Sequence, residues 1–291
     1  MPVANANADT NSQAEVENLI SVLSNLPADM NTRLERVTRA WIGRPYLLHG
    51  PLGEGLEGKY DQDPLFRLDG FDCTTFIETA YAISKARDFP DFMNRLTHVR
   101  YLNGEVSFTS RNHFVEIDWN PHNIDAGFFM DRTQAIGDES DRGIATQVFS
   151  KRNWYASLPL SALKLPGASP ELLQSRLSEL HAEGAHYADV SSQLLYLKKT
   201  SLLKLRDQLP LPSILNIVRV FPGSSRQNNV IAVTHQVLLI AVNGQLRVRA
   251  ASSRASAMRV IDVPYETYVE TLIASASTLG VNLLQVLPTP L

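Results

Sequence analysis

Val16, Leu19, Ile20, Val22 and Leu23 recur at the three- and four-residue intervals of an amphipathic helix, which the pattern places over 12–26, with Pro27 ending it. Leu34, Val37, Trp41 and Ile42 repeat that spacing in a second helix over about 31–42, stopped at Gly43. A third helix opens at Cys73. Phe76, Ile77, Ala80, Tyr81 and Ile83 share one side of it, Glu78 and Ser84 lie on the other, and Asp69, Gly70 and Asp72 read as loop and cap before it. The stretch DFPDFMNRLTHVRYLNG predicts a fourth helix ending near Gly104. The period then shortens. EVSFTSRNHFVEIDW alternates as a strand, with Ser110, Asn112, Phe114, Glu116 and Asp118 on one face and Arg111, His113, Val115 and Ile117 on the other. Residues 120–170 keep no clean period, whereas SPELLQSRLSELHAEG has every end signal of a helix: Ser169 caps it, Pro170 opens it and Gly184 closes it. The leucine-rich run over 190–209 fits a helix among other readings.

From about residue 213 the pattern is that of strands: SILNIVRVF, NVIAVTHQVLLIAV, QLRVRAAS and MRVIDV, followed by a closing helix near 264–278. Asn243–Gly244 between two apolar runs is the strongest hairpin signal in the chain. Helices first and an antiparallel sheet later predict an α+β fold, in one domain over 12–291 after a disordered tail at 1–11.

Composition narrows the function classes. The 291 residues are 44% hydrophobic and 20% charged, with net charge −3 and acids and bases interspersed. That balance offers nothing to nucleic acid or an anionic membrane surface, and no apolar run is long enough to cross a bilayer. A single cysteine excludes an intrachain disulfide and a cysteine-based zinc cluster. The start, MPVANANADTNSQAEVEN, lacks the basic and apolar segments of a signal peptide, while its Ala-Asn run is like the surroundings of a cleavage site. The two expectations are a cytosolic protein, or a periplasmic or secreted one whose signal is absent from this sequence.

Cys73 is the first candidate for chemistry. At a helix N-terminus, unpaired N–H groups and the dipole favour an anion, so its thiol is expected to have a lowered pKa. The plainer reading is a packed core thiol. A thiolate needs a base, and His235, 162 positions later in an apolar strand, is the best placed of seven histidines. His113 is its rival. Arg111 and His113 on one strand face beside a cleft would suit a carboxylated or amide-rich ligand, and a solvated edge is the alternative. His98 and His181 lie on helices, His122 and His186 in turns, and His49 in the glycine-rich loop 43–58, a cleft-rim candidate. No histidine pair has metal-ligand spacing with a carboxylate, and that loop does not open a helix as a phosphate loop does, so neither metal nor organic cofactor is expected.

In that order, GRPYLLHG, LDGFDCTTFIET and VTHQVLLIAVNGQLRVRAASS resemble the NlpC-like cell-wall cysteine amidases, papain-related enzymes of bacterial peptidoglycan. DCTTFIE and SRNHFVEIDW resemble more narrowly the N-acetylmuramoyl-L-alanine amidase-like subgroup. The likeness spans about residues 40–270. It implies a papain-like fold with a helical or irregular insertion near 120–212 that walls the cleft. Cys73 would be the nucleophile, His235 the general base and Tyr46 a phenol beside the oxyanion site. Asp72 matches the acid before the family cysteine, and Ser110, Arg111, His113 and Asp118 fall on the substrate side. One position departs: Ala250-Ala251-Ser252 stands where the family carries His-Ala-Ser, so the third polar role is vacant, met by water, or taken by Ser252 or His113. The implied function is hydrolysis of the bond between N-acetylmuramic acid and L-alanine in muropeptides by a monomer. The alternatives are a cut within the stem peptide, a transferase using the same pair, a non-catalytic muropeptide binder, or a cytosolic domain with a structural cysteine.

Overall fold

A computed structural model describes residues 3–27, 29–48, 53–220 and 231–288, so His49 lies outside the described residues. Four helices lead the chain: α1 (Val3–Ser24), α2 (Met30–Arg39), α3 (Cys73–Lys85) and α4 (Phe89–Arg100). Asp29, Asp72 and Asp88 cap the last three by accepting from backbone N–H groups of the first turn. Helix α1 begins at Val3, so most of the expected tail is helical. The fit is closest for α3, whose apolar stripe is buried as predicted, although Glu78 and Ser84 are buried as well.

After α4, Arg111 makes a single bridge to Tyr101, and Val115–Trp119 is a wide π-type helical turn leading into α5 (Asn120–Asp125). The predicted strand over this stretch is therefore wrong. Alternation was real, but buried Asp118 and Trp119 turn inward together, which a period of two forbids. Beyond it come β1 (Phe129–Asp131), β2 (Arg142–Ser150), α6 (Lys151–Ala156), α7 (Pro170–Gly184) and β3 (Asp189–Lys198). Helix α7 has the predicted ends, whereas the run at 190–209 is strand β3 followed by turns.

The remaining elements are β4 (Ser213–Val220), β5 (Ile231–Val242), β6 (Gln245–Ser252), β7 (Arg259–Pro264), α8 (Tyr265–Ala274) and β8 (Thr278–Val286). The strands form one antiparallel sheet in the order β2-β3-β8-β4-β5-β6-β7, with β1 on the end of β8. The segment 120–212 is thus part of the architecture, since β2 and β3 extend the sheet to its edge. Strand β8, absent from the sequence reading, is central. Asn243 and Gly244 take φ of 51° and 76°, the left-handed pair that a two-residue hairpin requires.

Helices α1–α4 cover one face of the sheet, burying Trp41, Phe76, Phe92, Leu238, Ile240 and Leu284. The other face packs Ile217, Val237, Leu239 and Val281 against Tyr265, Tyr268, Val269 and Leu272 of α8. Each such large side chain contributes about 1.5–3 kcal/mol by leaving water. A smaller cluster joins Tyr60 and Phe108 to Tyr155, Leu177 and Leu180 of α6 and α7. On the α3 side a row of buried amides crosses three strands: Gln236 Nε2 donates to Asn216 Oδ1 at 2.9 Å, and Asn216 Nδ2 to Asn282 Oδ1 at 3.0 Å. Asn282 passes the chain on to Asp131 at 2.8 Å and Thr133 at 3.1 Å.

Candidate active site

Cys73 is the first residue of α3 and is half-buried. A capping box sets its position: Asp72 Oδ1 accepts from Thr75 N at 2.7 Å, while Thr75 Oγ1 accepts from Asp72 N at 3.0 Å. The segment bearing Tyr46 is laid alongside. Leu47 N donates to Phe71 O at 2.9 Å, Phe71 N to Pro45 O at 3.1 Å, and Tyr46 N to Met258 O at 2.9 Å. This approach needs Gly70, where a Cβ would stand 2.8 Å from Pro45 O. The half-buried Tyr46 phenol is held well above its ordinary pKa by burial and then by Cys73 and Asp72, with the Ser253 hydroxyl working the other way.

His235 arrives on β5, opposite Ile217 of β4. Thr234 is looped out as a β-bulge, since Val233 pairs with Val218, and Glu116 accepts a hydrogen bond from Val233 N. Strand β5 pairs with β6 only from Leu238 onward, so the two diverge toward His235. The next residue, Gln236, presents its backbone N–H to the Cys73 sulfur and favours the thiolate, as do the Thr74 hydroxyl and the Cys73 N–H. Helix α3 thereby meets β5 within one residue of the histidine. Buried Ser252 ends β6, and its Oγ accepts from Arg254 N at 3.4 Å. Ala250 is fully buried against the α8 core. Among the described residues no side chain hydrogen-bonds the His235 ring.

The electrostatics reverse one expectation. Burial, and then the neighbouring Asp72 carboxylate, push the Cys73 thiol up to about 11 rather than down, because both disfavour the thiolate. Burial, followed by the charges of Arg219 and Arg254, pushes His235 down to about 4. Both shifts favour a thiol and a neutral imidazole over an ion pair in the free protein. Tyr268 of α8 is pushed up to about 12 by burial and also feels Arg254, Arg219 and Cys73. Arg219, Arg254, Tyr268, Gln236 and Glu116 were not singled out from the sequence. Only Arg219, a charge inside the apolar run SILNIVRVF, carried a signal there.

Cys73, Asp72, Tyr46 and Ser253 are thus gathered around one helix start, with His235 one residue before the backbone N–H that reaches the sulfur. The other four candidates lie along the stretch before α5. Ser110, Arg111 and Asp118 line a cleft of about 320 Å³ with His122, Lys151 and Tyr187. There Asp118 pairs with Lys151 at 2.5 Å, Arg111 stands 3.9 Å from Asp61, and Ser110 Oγ is tied to Glu105 and Ser107. His113 is not on that cleft. Its Nε2 lies 2.7 Å from Phe108 O and its ring packs on Phe108 and Trp154 at 4.8 and 4.7 Å. It sits in an aromatic cluster, where burial and Arg111 push its pKa down to about 3. Among the described residues no three His, Cys, Asp or Glu side chains are grouped to hold a metal ion, and no helix is long and apolar enough to cross a membrane.

The family model described as AmiA-like, N-acetylmuramoyl-L-alanine amidase-like, matches residues 36–274, a span that holds Tyr46, Cys73, His235 and Ser252. The chain belongs to this amidase-like family. Its fold is similar to that of LPG0564 from Legionella pneumophila str. Philadelphia 1, at 29% identity and TM-score 0.88 over 97% of each chain. It is also similar to an N-acetylmuramoyl-L-alanine amidase from Bacteroides uniformis ATCC 8492, at 21% identity and TM-score 0.57, covering 88% of this chain and 98% of that one. The second likeness is one of fold alone. No curated protein matches the sequence. The family places the chain among amidase-like proteins of peptidoglycan and agrees with the mixed helix and antiparallel-sheet architecture.

Proposed function

We propose that the chain hydrolyses the amide bond between N-acetylmuramic acid and L-alanine in peptidoglycan fragments, with Cys73 as nucleophile and His235 as base. The observation that carries this reading is the convergence on one sulfur of a capped helix start, the Tyr46 phenol and the backbone N–H next to His235. With the resting pair neutral, His235 acts as a general base. It takes the thiol proton as the sulfur bonds to the lactyl carbonyl carbon, and the oxyanion accepts from the Cys73 N–H and the Tyr46 hydroxyl. The imidazolium then protonates the alanine nitrogen as the C–N bond breaks, releasing the stem peptide. Water, deprotonated by His235, attacks the thioester and frees the lactyl carboxylate and the thiol. The role of the absent third residue is orientation and tautomer choice, which the bulge and Glu116 supply in part by fixing the β5 backbone before His235. Such a substrate places the work outside the cytoplasm, in the periplasm or beyond. The cleft of Ser110, Arg111 and Asp118 is the proposed continuation of the substrate site.

One observation favours a second reading. Ala250 and a His235 ring without a described partner suit a muropeptide binder that turns nothing over. Mass spectrometry of defined muropeptides incubated with wild type, Cys73→Ala and His235→Ala separates the readings. Free stem peptide from wild type alone supports the amidase. A sugar still bearing a dipeptide moves the cut into the stem, and intact fragments that bind Cys73→Ala identify a binder.

A further inference from the structure

Arg219 and His235 lie on the same face of the sheet. His235 pairs with Ile217, which packs toward α8, and Arg219 follows two residues along β4. Arg254 reaches the same place from the end of β6. Its guanidinium lies 5.8 Å from the centre of the Tyr268 ring, and its Nη2 donates to Thr271 Oγ1 at 2.8 Å. Both arginines act on His235 and on Tyr268, so the four groups share one corner beside Cys73. Neither arginine has an acidic partner among the described residues, and Arg219 Nε is buried with no hydrogen-bond partner. Their neighbours in the sheet contrast with them: Arg247 and Arg249 are paired with Asp262 at 2.9 and 3.0 Å. Two unpaired guanidiniums beside a base are unfavourable in the free protein, because they oppose the imidazolium that the reaction must form. A bound anion removes that conflict and takes up the free N–H donors.

Resting on the amidase reading, we propose that Arg219 and Arg254 form a carboxylate subsite on the leaving-group side of the site, taking an acidic group of the stem peptide. The side follows from the chemistry. His235 must reach the departing amine, so groups that border its ring meet the peptide half of the substrate and not the sugar. A carboxylate lodged there offsets the arginine charge at His235, so that binding and activation of the base come together.

The test uses two alkylating agents of nearly equal size on the intact protein, anionic iodoacetate and neutral iodoacetamide, with Cys73 the only target. The ratio of their rate constants cancels changes in thiol reactivity common to both. Wild type is expected to favour iodoacetate relative to a free thiol. The ratio should fall about tenfold in Arg219→Gln/Arg254→Gln, a loss of the size expected for partly exposed charges. Arg254→Lys, which keeps the charge, should retain most of the preference and controls for misfolding. An unchanged ratio in the double variant overturns the subsite. The ratio is readable even if wild type hydrolyses no muropeptide, so the subsite can stand while the amidase reading falls. If muropeptides are hydrolysed, but wild type turns over fragments with free and amidated stem carboxylates at equal kcat/KM, the subsite falls and the amidase reading survives.

Discussion

Replacing Arg100 by leucine tests what holds the cysteine helix in place. Arg100 and Glu78 are 2% and 3% exposed and form an ion pair of 2.7 Å between α4 and α3. Glu78 Oε1 also accepts from Trp119 Nε1 at 3.0 Å, and the guanidinium donates to the Leu65 carbonyl. One buried charge pair therefore joins the cysteine helix, α4, the turn before α5 and the loop at Leu65. Arg100→Leu leaves a buried carboxylate with a single neutral donor and the Leu65 carbonyl with none. Breaking such a pair costs about 3–5 kcal/mol. The stranded carbonyl belongs to the same cavity, so its penalty of about 1–3 kcal/mol overlaps with that figure and does not add in full. A loss of about 4 kcal/mol corresponds to a drop in Tm of roughly 8–16 °C, at the 2–4 °C per kcal/mol of large domains. Urea unfolding followed by tryptophan fluorescence measures it, with Trp119 reporting from the site, provided the slope m is unchanged. Glu78→Leu/Arg100→Leu should recover much of the loss, because an apolar pair of similar volume leaves no stranded charge. The reasoning is refuted if Arg100→Leu lies within about 1 kcal/mol of wild type, or if the double variant is less stable than the single one.

Asp72→Asn keeps an acceptor at the helix start while removing the charge that lifts the thiol. The pH–rate profile of iodoacetamide with Cys73 should move to lower pH from the wild-type value near 11, and a profile that stays or rises counts against the assignment. Asn216→Leu deprives Gln236, Asn120 and Asn282 of a shared partner. Asn282 Oδ1 keeps Asn120 Nδ2 at 3.4 Å, so two buried groups lose their partner. At about 1–3 kcal/mol for each, the variant should be less stable by at least about 2 kcal/mol in urea, and a loss below about 1 would show the row to be dispensable. His113 has a folded pKa of about 3 against an ordinary 6.5, so below pH 6.5 the unfolded chain takes up a proton that the folded chain refuses. Stability is lost as pH falls through that window, and His113→Gln should lose less of it between pH 7 and about 4.5 by urea midpoint. Equal losses in the two proteins would place the titration elsewhere.

Some elements are fixed by signals within a few residues of one another. The α7 helix carried its own cap, its Pro170 and its closing glycine, and the β5–β6 hairpin carried Asn243–Gly244. Both signals act through residues a few positions apart, so no distant partner can overrule them. The failures are of another kind. The stretch at 111–119 alternated but coils, because Trp119 and Asp118 are held by Glu78 and Lys151 from other elements. Strand β8 has no counterpart in the sequence reading and is a central strand, since a nearly continuous apolar segment shows its role only when β3 and β4 flank it.

The same division runs through the site. The sequence by itself determined that a lone cysteine opens a capped helix, that a histidine sits on an apolar strand far downstream, and that a tyrosine lies in a glycine-bounded turn. Each statement depends only on neighbours in the chain. Tertiary structure alone decided the charge state and the surroundings. Burial of the sulfur and of the imidazole, with two arginines brought beside the ring, sets the thiol high and the base low, against what a helix N-terminus alone predicts. Electrostatic energy depends on distance in space and on water excluded, and neither is written in the order of residues.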